Sequence, residues 1–181
     1  MGQRKQPDIP VKVVVNVLKE DGPGNLILYN KDRPLRIKDF KGRPDAASPG
    51  VGATYSGISM AIEGKTENGV LTTTVSLTIY FDPLKSWMKK EGKNERVLAH
   101  EQNHFDLTAI KACALAQAIA RETFQAGNLK QRLFDMHKEH TQALQQWQYD
   151  YDEETKHGTD AAQQEAWSLR IRKELAAATC I

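Results

Sequence analysis

Apolar positions along the chain follow one period up to about residue 83 and a different period after it. In the first part, short apolar or β-branched stretches are separated by turn-forming residues such as Asp21-Gly22-Pro23-Gly24, which is typical of strands joined by turns. The last stretch alternates polar and apolar residues with a period of two, as expected for a half-buried antiparallel sheet. The predicted strands cover residues 11–18, 25–29, 55–63 and 71–81, with a Gly- and Pro-containing loop over 35–54 and a connection over 64–69.

After residue 83, apolar residues recur at steps of three and four, as on one face of a helix. Asn94 is a favourable capping residue, and neither Gly nor Pro interrupts the sequence until Gly127. The predicted helices cover 94–126, 129–147 and 159–178, with a polar, aromatic connection over 149–158. Strands first and helices after predict an α+β fold, formed by one domain over 1–181 with a β-rich part (1–83) and a helical part (94–181).

Composition narrows the classes of function. The chain of 181 residues carries 25 basic and 23 acidic residues, so we expect no nucleic-acid partner and no strong attraction to anionic membranes. No apolar stretch approaches the roughly 20 residues of a transmembrane helix. Cys113 and Cys180 form no C-x-x-C pair, so thiolate ligation of a metal is not expected. They are either two free thiols or a disulfide that joins the C-terminus to the first predicted helix.

The segment His100-Glu101-Gln102-Asn103-His104 matches the pattern H-E-x-x-H and falls within the first predicted helix. Helical residues four apart are separated by about 40° of rotation and about 6 Å of rise, so both imidazoles can bind one ion. The pattern therefore predicts one zinc ion bound by His100 and His104, with Glu101 as the general base. Because His104 and Glu101 lie on the apolar stripe of the helix, an ion explains their position better than an ordinary helix does.

The motif does not identify the third protein ligand. The longer pattern with a third histidine fails, because Ile110 stands where that histidine would be, and Asp106 points to another side of the helix. His137 and His140 belong to a polar helix that we expect to face solvent, whereas His157 lies in the predicted connection. The remaining candidates are His137, His140, His157, Asp152, Glu153 and Glu154.

Three groups of residues carry a resemblance to a known family. They are Phe40-Lys41-Gly42-Arg43-Pro44 with Phe81 and Ser86-Trp87, then His100-Glu101-Gln102-Asn103-His104-Phe105-Asp106, and Tyr151-Asp152-Glu153-Glu154-Thr155-Lys156-His157-Gly158. In these motifs the chain resembles the bacterial family called domain of unknown function 922, described as secreted Zn-dependent proteases. The resemblance implies a zincin-like fold, a metal site completed by His157, and a periplasmic or secreted location. The opening residues show no signal peptide and leave the compartment open.

The leading hypothesis is a zinc-dependent metallopeptidase acting on a peptide or protein, held along the edge of the strand 71–80. The alternatives are a zinc-stabilised binding module of the cell envelope without turnover, and a hydrolase of non-peptide amides such as cell-wall material. Glu101 favours catalysis, since a purely structural site needs no base between its histidines. Beside the third-ligand segment, Tyr151 or Tyr149 is either a packing residue or a catalytic hydrogen-bond donor to the oxyanion.

Overall fold

The structure, a computed structural model, describes residues 9–19 and 24–181. Strands come first and helices after, which confirms the α+β class. Of the predicted turn over 21–24, residues 21–23 lie outside the described residues. The elements are β1 (Val11–Leu18), β2 (Ile27–Leu28), β3 (Gly52–Ala53), β4 (Ser56–Glu67), β5 (Val70–Phe81), β6 (Trp87–Met88), α1 (Glu95–Arg121), α2 (Leu129–Thr155) and α3 (Ala161–Ala177), with short 3-10 helices at Ile37–Asp39 and Lys90–Gly92.

The main sheet is built around β5. Strand β4 lies antiparallel along one side of it, while the other side pairs first with β1 and then with β2. Strand β1 runs parallel to β5, from the pair Val11–Leu71 to the pair Leu18–Thr78, whereas β2 is antiparallel. The prediction of a wholly antiparallel sheet is therefore wrong for β1. Burial along β1 alternates in a way that fits either direction, so its side-chain pattern did not specify the pairing.

Strands β4 and β5 form a tight hairpin. They are joined only by Asn68 and Gly69, whose φ angles are 51° and 77°. Asn-Gly with positive φ at both positions matches the right-handed twist of paired strands. The predicted connection over 64–69 is therefore too long, because β4 continues through Glu67. The predicted alternation along β5 is confirmed by the buried residues Thr73, Val75, Leu77, Ile79 and Phe81, with Thr78, which is also buried, as the exception.

Helix α1 packs across the sheet, with contacts to β1, β4 and β5. The side chain of Asn94 accepts a hydrogen bond from the backbone N–H of Val97 at 3.1 Å, which confirms the predicted cap. The helix ends at Arg121 rather than at residue 126. A disulfide joins Cys113 of α1 to Cys180, with 5.4 Å between the Cα atoms, so the two cysteines are not free thiols.

The course of α2 differs most from the prediction. It continues to Thr155, so the expected connection over 149–158 is helical for most of its length. It ends where Lys156, His157 and Gly158 have φ angles of 50°, 52° and 76°. Consecutive residues in the left-handed region end a helix, and this ending places Asp152 in the last turn of α2. Within the described residues, no helix has the length and apolar character needed to cross a membrane.

Two residues of the motif region anchor α1 to the segment that follows β2. Gln102 Oε1 accepts from the backbone N–H of Leu35 at 2.7 Å, and Gln102 Nε2 donates to Asp106 Oδ1 at 2.8 Å. The same carboxyl accepts from the hydroxyl of Tyr29 at 2.9 Å. Burial raises the pKa of Asp106 despite these bonds. Asp106 points away from His100 and His104, as helix geometry predicts.

Candidate metal centre

Three polar side chains from two helices converge at one point. His100 and His104 of α1 are buried, and their Nε2 atoms lie 3.3 Å apart. Each Nε2 lies 3.0 Å from Oδ1 of Asp152 on α2. A metal ion can be held by this group of His100, His104 and Asp152.

Hydrogen-bond partners determine which ring nitrogen of His104 carries the proton. Gln148 of α2 donates through Nε2 to the backbone carbonyl of His104 at 2.9 Å, and a carbonyl oxygen can only accept. The other atom of this amide, Oε1, therefore faces His104 Nδ1, and it too can only accept. The hydrogen must lie on Nδ1. The neutral ring then presents the lone pair of Nε2 to Asp152.

His100 is oriented in the same way by a different helix. Its Nδ1 lies 2.9 Å from Oε1 of Gln164 on α3, and its ring stacks on that of Tyr151 with centroids 4.6 Å apart. The Nε2 of Gln164 donates to the Tyr151 hydroxyl at 2.8 Å, and in this orientation of the amide its oxygen faces His100. Nδ1 of His100 therefore donates, and its Nε2 also carries a lone pair.

The converging atoms attract positive charge. Without an ion, protons on Nε2 take the place of the cation. Burial opposes ionisation of Asp152, but hydrogen bonds donated by His100 and His104 and the charge of the protonated rings outweigh burial and hold the pKa of this carboxyl well below its usual range. Burial also acts to lower the pKa of His104, yet the contact with Asp152 and the charge of Glu101 outweigh it, so this pKa is raised. Two imidazole lone pairs and a carboxylate oxygen are costly to bury together without a cation. The donor set therefore fits a metal ion.

Glu101 lies under the short strand β3. The hydroxyl of Thr54 donates to Glu101 Oε2 at 2.7 Å and also approaches the backbone carbonyl of Glu101 at 3.1 Å. Gly52 of β3 leaves room for the same carboxylate, because a Cβ at that position would lie 2.8 Å from Glu101 Oε1. The carboxylate is thus fixed between α1 and β3 while still lining the groove beside the three converging side chains.

The groove has a volume of about 410 Å³. One wall is the segment 48–56, which includes β3, and the other is the face of α1 that carries the motif. The expectation that a peptide binds along the edge of strand 71–80 is wrong, because β5 is paired on both sides and has no open edge there. The strand that borders the groove is β3, which pairs with β6 on its far side.

His157 lies beside the cluster, with Nδ1 3.6 Å from Asp152 Oδ1 and a side chain that is 55% exposed. It lines the groove but is not part of the three-residue group. The next residue, Gly158, packs on His100, since a Cβ there would lie 3.0 Å from His100 Cγ and Nδ1. The turn at the end of α2 therefore brings His157 near the site and presses directly on one histidine.

Tyr151 is fully buried behind the histidines. Its hydroxyl is hydrogen bonded to Gln164 and accepts from Asn103 Nδ2 at 3.1 Å, and it does not line the groove. Burial raises the pKa of this phenol above its ordinary value, even though hydrogen bonds from Gln164 and Asn103 act to lower it. Tyr149 is exposed on α2, and its side chain does not line the groove either.

The other candidate ligands lie away from the cluster. The two histidines expected to face solvent are both half-buried instead. His137 Nε2 contacts the carbonyl of Ile58 at 2.8 Å. His140 Nδ1 contacts the carbonyl of Met136 at 2.9 Å. Glu154 accepts from Trp167 Nε1 at 2.7 Å.

Sequence reasoning missed three residues of the site, namely Thr54, Gln148 and Gln164. Gln148 and Asp152 are four residues apart on α2, and this spacing would have placed them on one face had the helix been predicted to its true end. Comparison with models of protein families, with curated proteins and with solved structures found no match to this chain.

Proposed function

We propose that this protein is a zinc-dependent metallopeptidase in which His100, His104 and Asp152 hold the ion. The observation that carries the proposal is the convergence of two imidazole Nε2 atoms, each 3.0 Å from one carboxylate oxygen, in a groove also lined by Glu101. Two nitrogens and one oxygen form a ligand set used by catalytic zinc, which keeps one position open. The resemblance of the motifs to a family of secreted Zn-dependent proteases supports the same reading and a zincin-like fold.

A zinc ion held by His100, His104 and Asp152 would lower the pKa of a water molecule to about 7 and so supply a nucleophile at neutral pH. Glu101 takes the proton from the water as its oxygen adds to the carbonyl carbon of the scissile peptide bond. Glu101 then delivers that proton to the departing amine, and the products are a carboxylic acid and an amine. The bond from Thr54 to Oε2 holds the carboxylate in one orientation for both transfers.

Gln148 and Gln164 act as positioning residues, since the amide oxygen of each accepts a hydrogen bond from Nδ1 of one histidine and leaves Nε2 free for the ion. Tyr151 belongs with them, because its ring supports His100 and its hydroxyl binds Gln164. The catalytic role expected for its phenol has no support from its position. His157 is a second candidate for the third ligand, since its Nδ1 lies 3.6 Å from Asp152 Oδ1.

The disulfide between Cys113 and Cys180 supports a location outside the reducing cytosol, since such bonds rarely persist there. The peptide nature of the substrate is supported by the short strand β3 beside the groove, because an extended peptide can add to a strand edge by backbone pairing.

Purified protein loaded with one equivalent of zinc tests the proposal. We expect it to cleave a mixture of unfolded proteins, and Glu101→Gln to keep fold and zinc while the rate falls by roughly 10² to 10⁴, because the amide cannot accept the proton. Fragments are identified by mass spectrometry. A zinc-loaded protein that cleaves nothing, or an equally active Glu101→Gln variant, refutes the peptidase mechanism and favours the binding module.

A further inference from the structure

Strand β3 has one paired edge and one edge towards the groove. In the pairing with β6, Gly52 is opposite Met88, and the backbone N–H of Lys89 donates to the carbonyl of Val51 at 2.8 Å. Backbone groups of an antiparallel pair point alternately towards and away from the partner strand. The N–H and C=O of Gly52 and of Thr54 therefore point away from β6, where an added strand would find them.

The direction of such a strand follows from the contacts of this segment with α1. A Cβ on Gly52 would lie 3.2 Å from Val97, Thr54 bonds Glu101 at 2.7 Å, and the Ser56 hydroxyl lies 2.7 Å from that of Thr108. The segment 52–56 and helix α1 therefore run in the same direction past the metal centre. Antiparallel pairing is the more stable of the two, so we take an added peptide to run the opposite way, and residues after the scissile bond then lie towards the start of α1.

Arg96 lies at this end of the groove. It is exposed, lines the groove, and is one helical turn before His100. Among the described residues that line the groove, Arg96 is the one with a Lys or Arg side chain. Its guanidinium forms no ion pair with any residue that the structure describes. Two cations near the groove are engaged already: Lys89 donates to the carbonyl of Ser48 at 2.6 Å, and Lys156 pairs with Asp160 at 3.7 Å.

We infer that Arg96 binds a carboxylate of the substrate on the side that follows the scissile bond. The inference rests on the proposed peptidase function and adds the class of substrate, namely peptides with Asp, Glu or a free C-terminus at that place. One helical turn spans about 5 Å and one extended residue about 3.3 Å, so the carboxylate belongs about two residues after the bond. A guanidinium binds a carboxylate through two parallel N–H donors, so Arg96 should favour a carboxylate over other acceptors at this place.

A peptide library made by lysine-specific digestion of a protein mixture tests the assignment. One half keeps its carboxylates, and in the other half all carboxyl groups are converted to methylamides. We expect wild-type protein to prefer the first half, at sites followed by a carboxylate, and Arg96→Gln to lose about tenfold in kcat/KM on those peptides, the scale of one charge-assisted hydrogen bond. Arg96→Glu should prefer Lys or Arg at the same place. Arg121→Gln, at the other end of α1, is the matched control.

The outcomes separate the inference from the function on which it rests. Equal cleavage of the two halves by the wild type, or an unchanged carboxylate preference in Arg96→Gln, overturns the assignment of Arg96 and leaves the peptidase intact. No cleavage of either half by zinc-loaded wild type refutes the peptidase, and the assignment falls with it. An Arg121→Gln variant that lost the preference as Arg96→Gln does would also overturn the role of Arg96.

Discussion

Replacing Gly158 by alanine tests whether the turn at the end of α2 controls the metal centre. Gly158 has a φ angle of 76°, and a Cβ there would lie 3.0 Å from His100 Cγ and Nδ1. The backbone conformation costs an L-residue about 1 kcal/mol. The methyl group also forces the His100 ring to move and weakens its hydrogen bond to Gln164. Together the two effects should lower the free energy of unfolding by about 2 kcal/mol. Because that bond orients a ligand, we expect zinc affinity to fall roughly 10- to 100-fold.

The chain contains a matched control for this substitution. Gly69 has nearly the same φ angle, 77°, but a Cβ there meets nothing within 4 Å. Gly69→Ala therefore carries the backbone cost alone and should leave zinc affinity unchanged. Urea unfolding of the metal-free proteins measures the stability terms, and competition with a zinc chelator measures affinity. If Gly158→Ala bound zinc as tightly as Gly69→Ala does, the reasoning about His100 would be wrong.

Three further predictions concern the ligands, the ion and the disulfide. Asp152→Asn should lose most bound zinc in metal analysis after dialysis, while His157→Ala keeps most of it, because Asp152 contacts both histidine nitrogens; the reverse result would make His157 the third ligand. Chelation should lower the melting temperature, since an ion at 1,000 times its Kd adds about 4 kcal/mol to the folded state; an unchanged temperature after confirmed metal loss would contradict a tie between α1 and α2. Reducing the bond between Cys113 and Cys180, which are 67 residues apart, should lower the unfolding free energy by about 4 kcal/mol in urea titrations; no change on reduction would show that the bond constrains little.

Local signals predicted the parts of the fold that local physics decides. The cap at Asn94 and the alternation along β5 depend on neighbouring residues, and both were predicted correctly. The motif histidines fall on a helix because nothing in 94–121 interrupts it. The pairing direction of β1 could not be predicted from local sequence, since β1 buries alternate residues whether it runs parallel or antiparallel to β5.

The end of α2 shows why the third side chain of the site was harder to predict. The polar and aromatic composition of 149–155 was interpreted as a connection, although none of these residues is Gly or Pro. The helix ends only at three successive left-handed residues beginning with Lys156. A difference of two helical turns decided whether Asp152 belonged to a loop or to a face opposite His100. Asp152 was therefore named only as one candidate among several, and His157 was preferred as the third ligand.

The two motif histidines take their orientation from different helices, since Gln148 of α2 contacts His104 and Gln164 of α3 contacts His100. A growing chain that has not yet produced α3 already contains H-E-x-x-H and Asp152, but the Nδ1 of His100 still lacks its hydrogen-bond partner Gln164. If the site holds an ion as proposed, tight coordination would therefore wait for the last helix to dock. Any hydrolytic activity would then arise only at the end of folding, when the chain is least accessible to cleavage by other copies of the same protein.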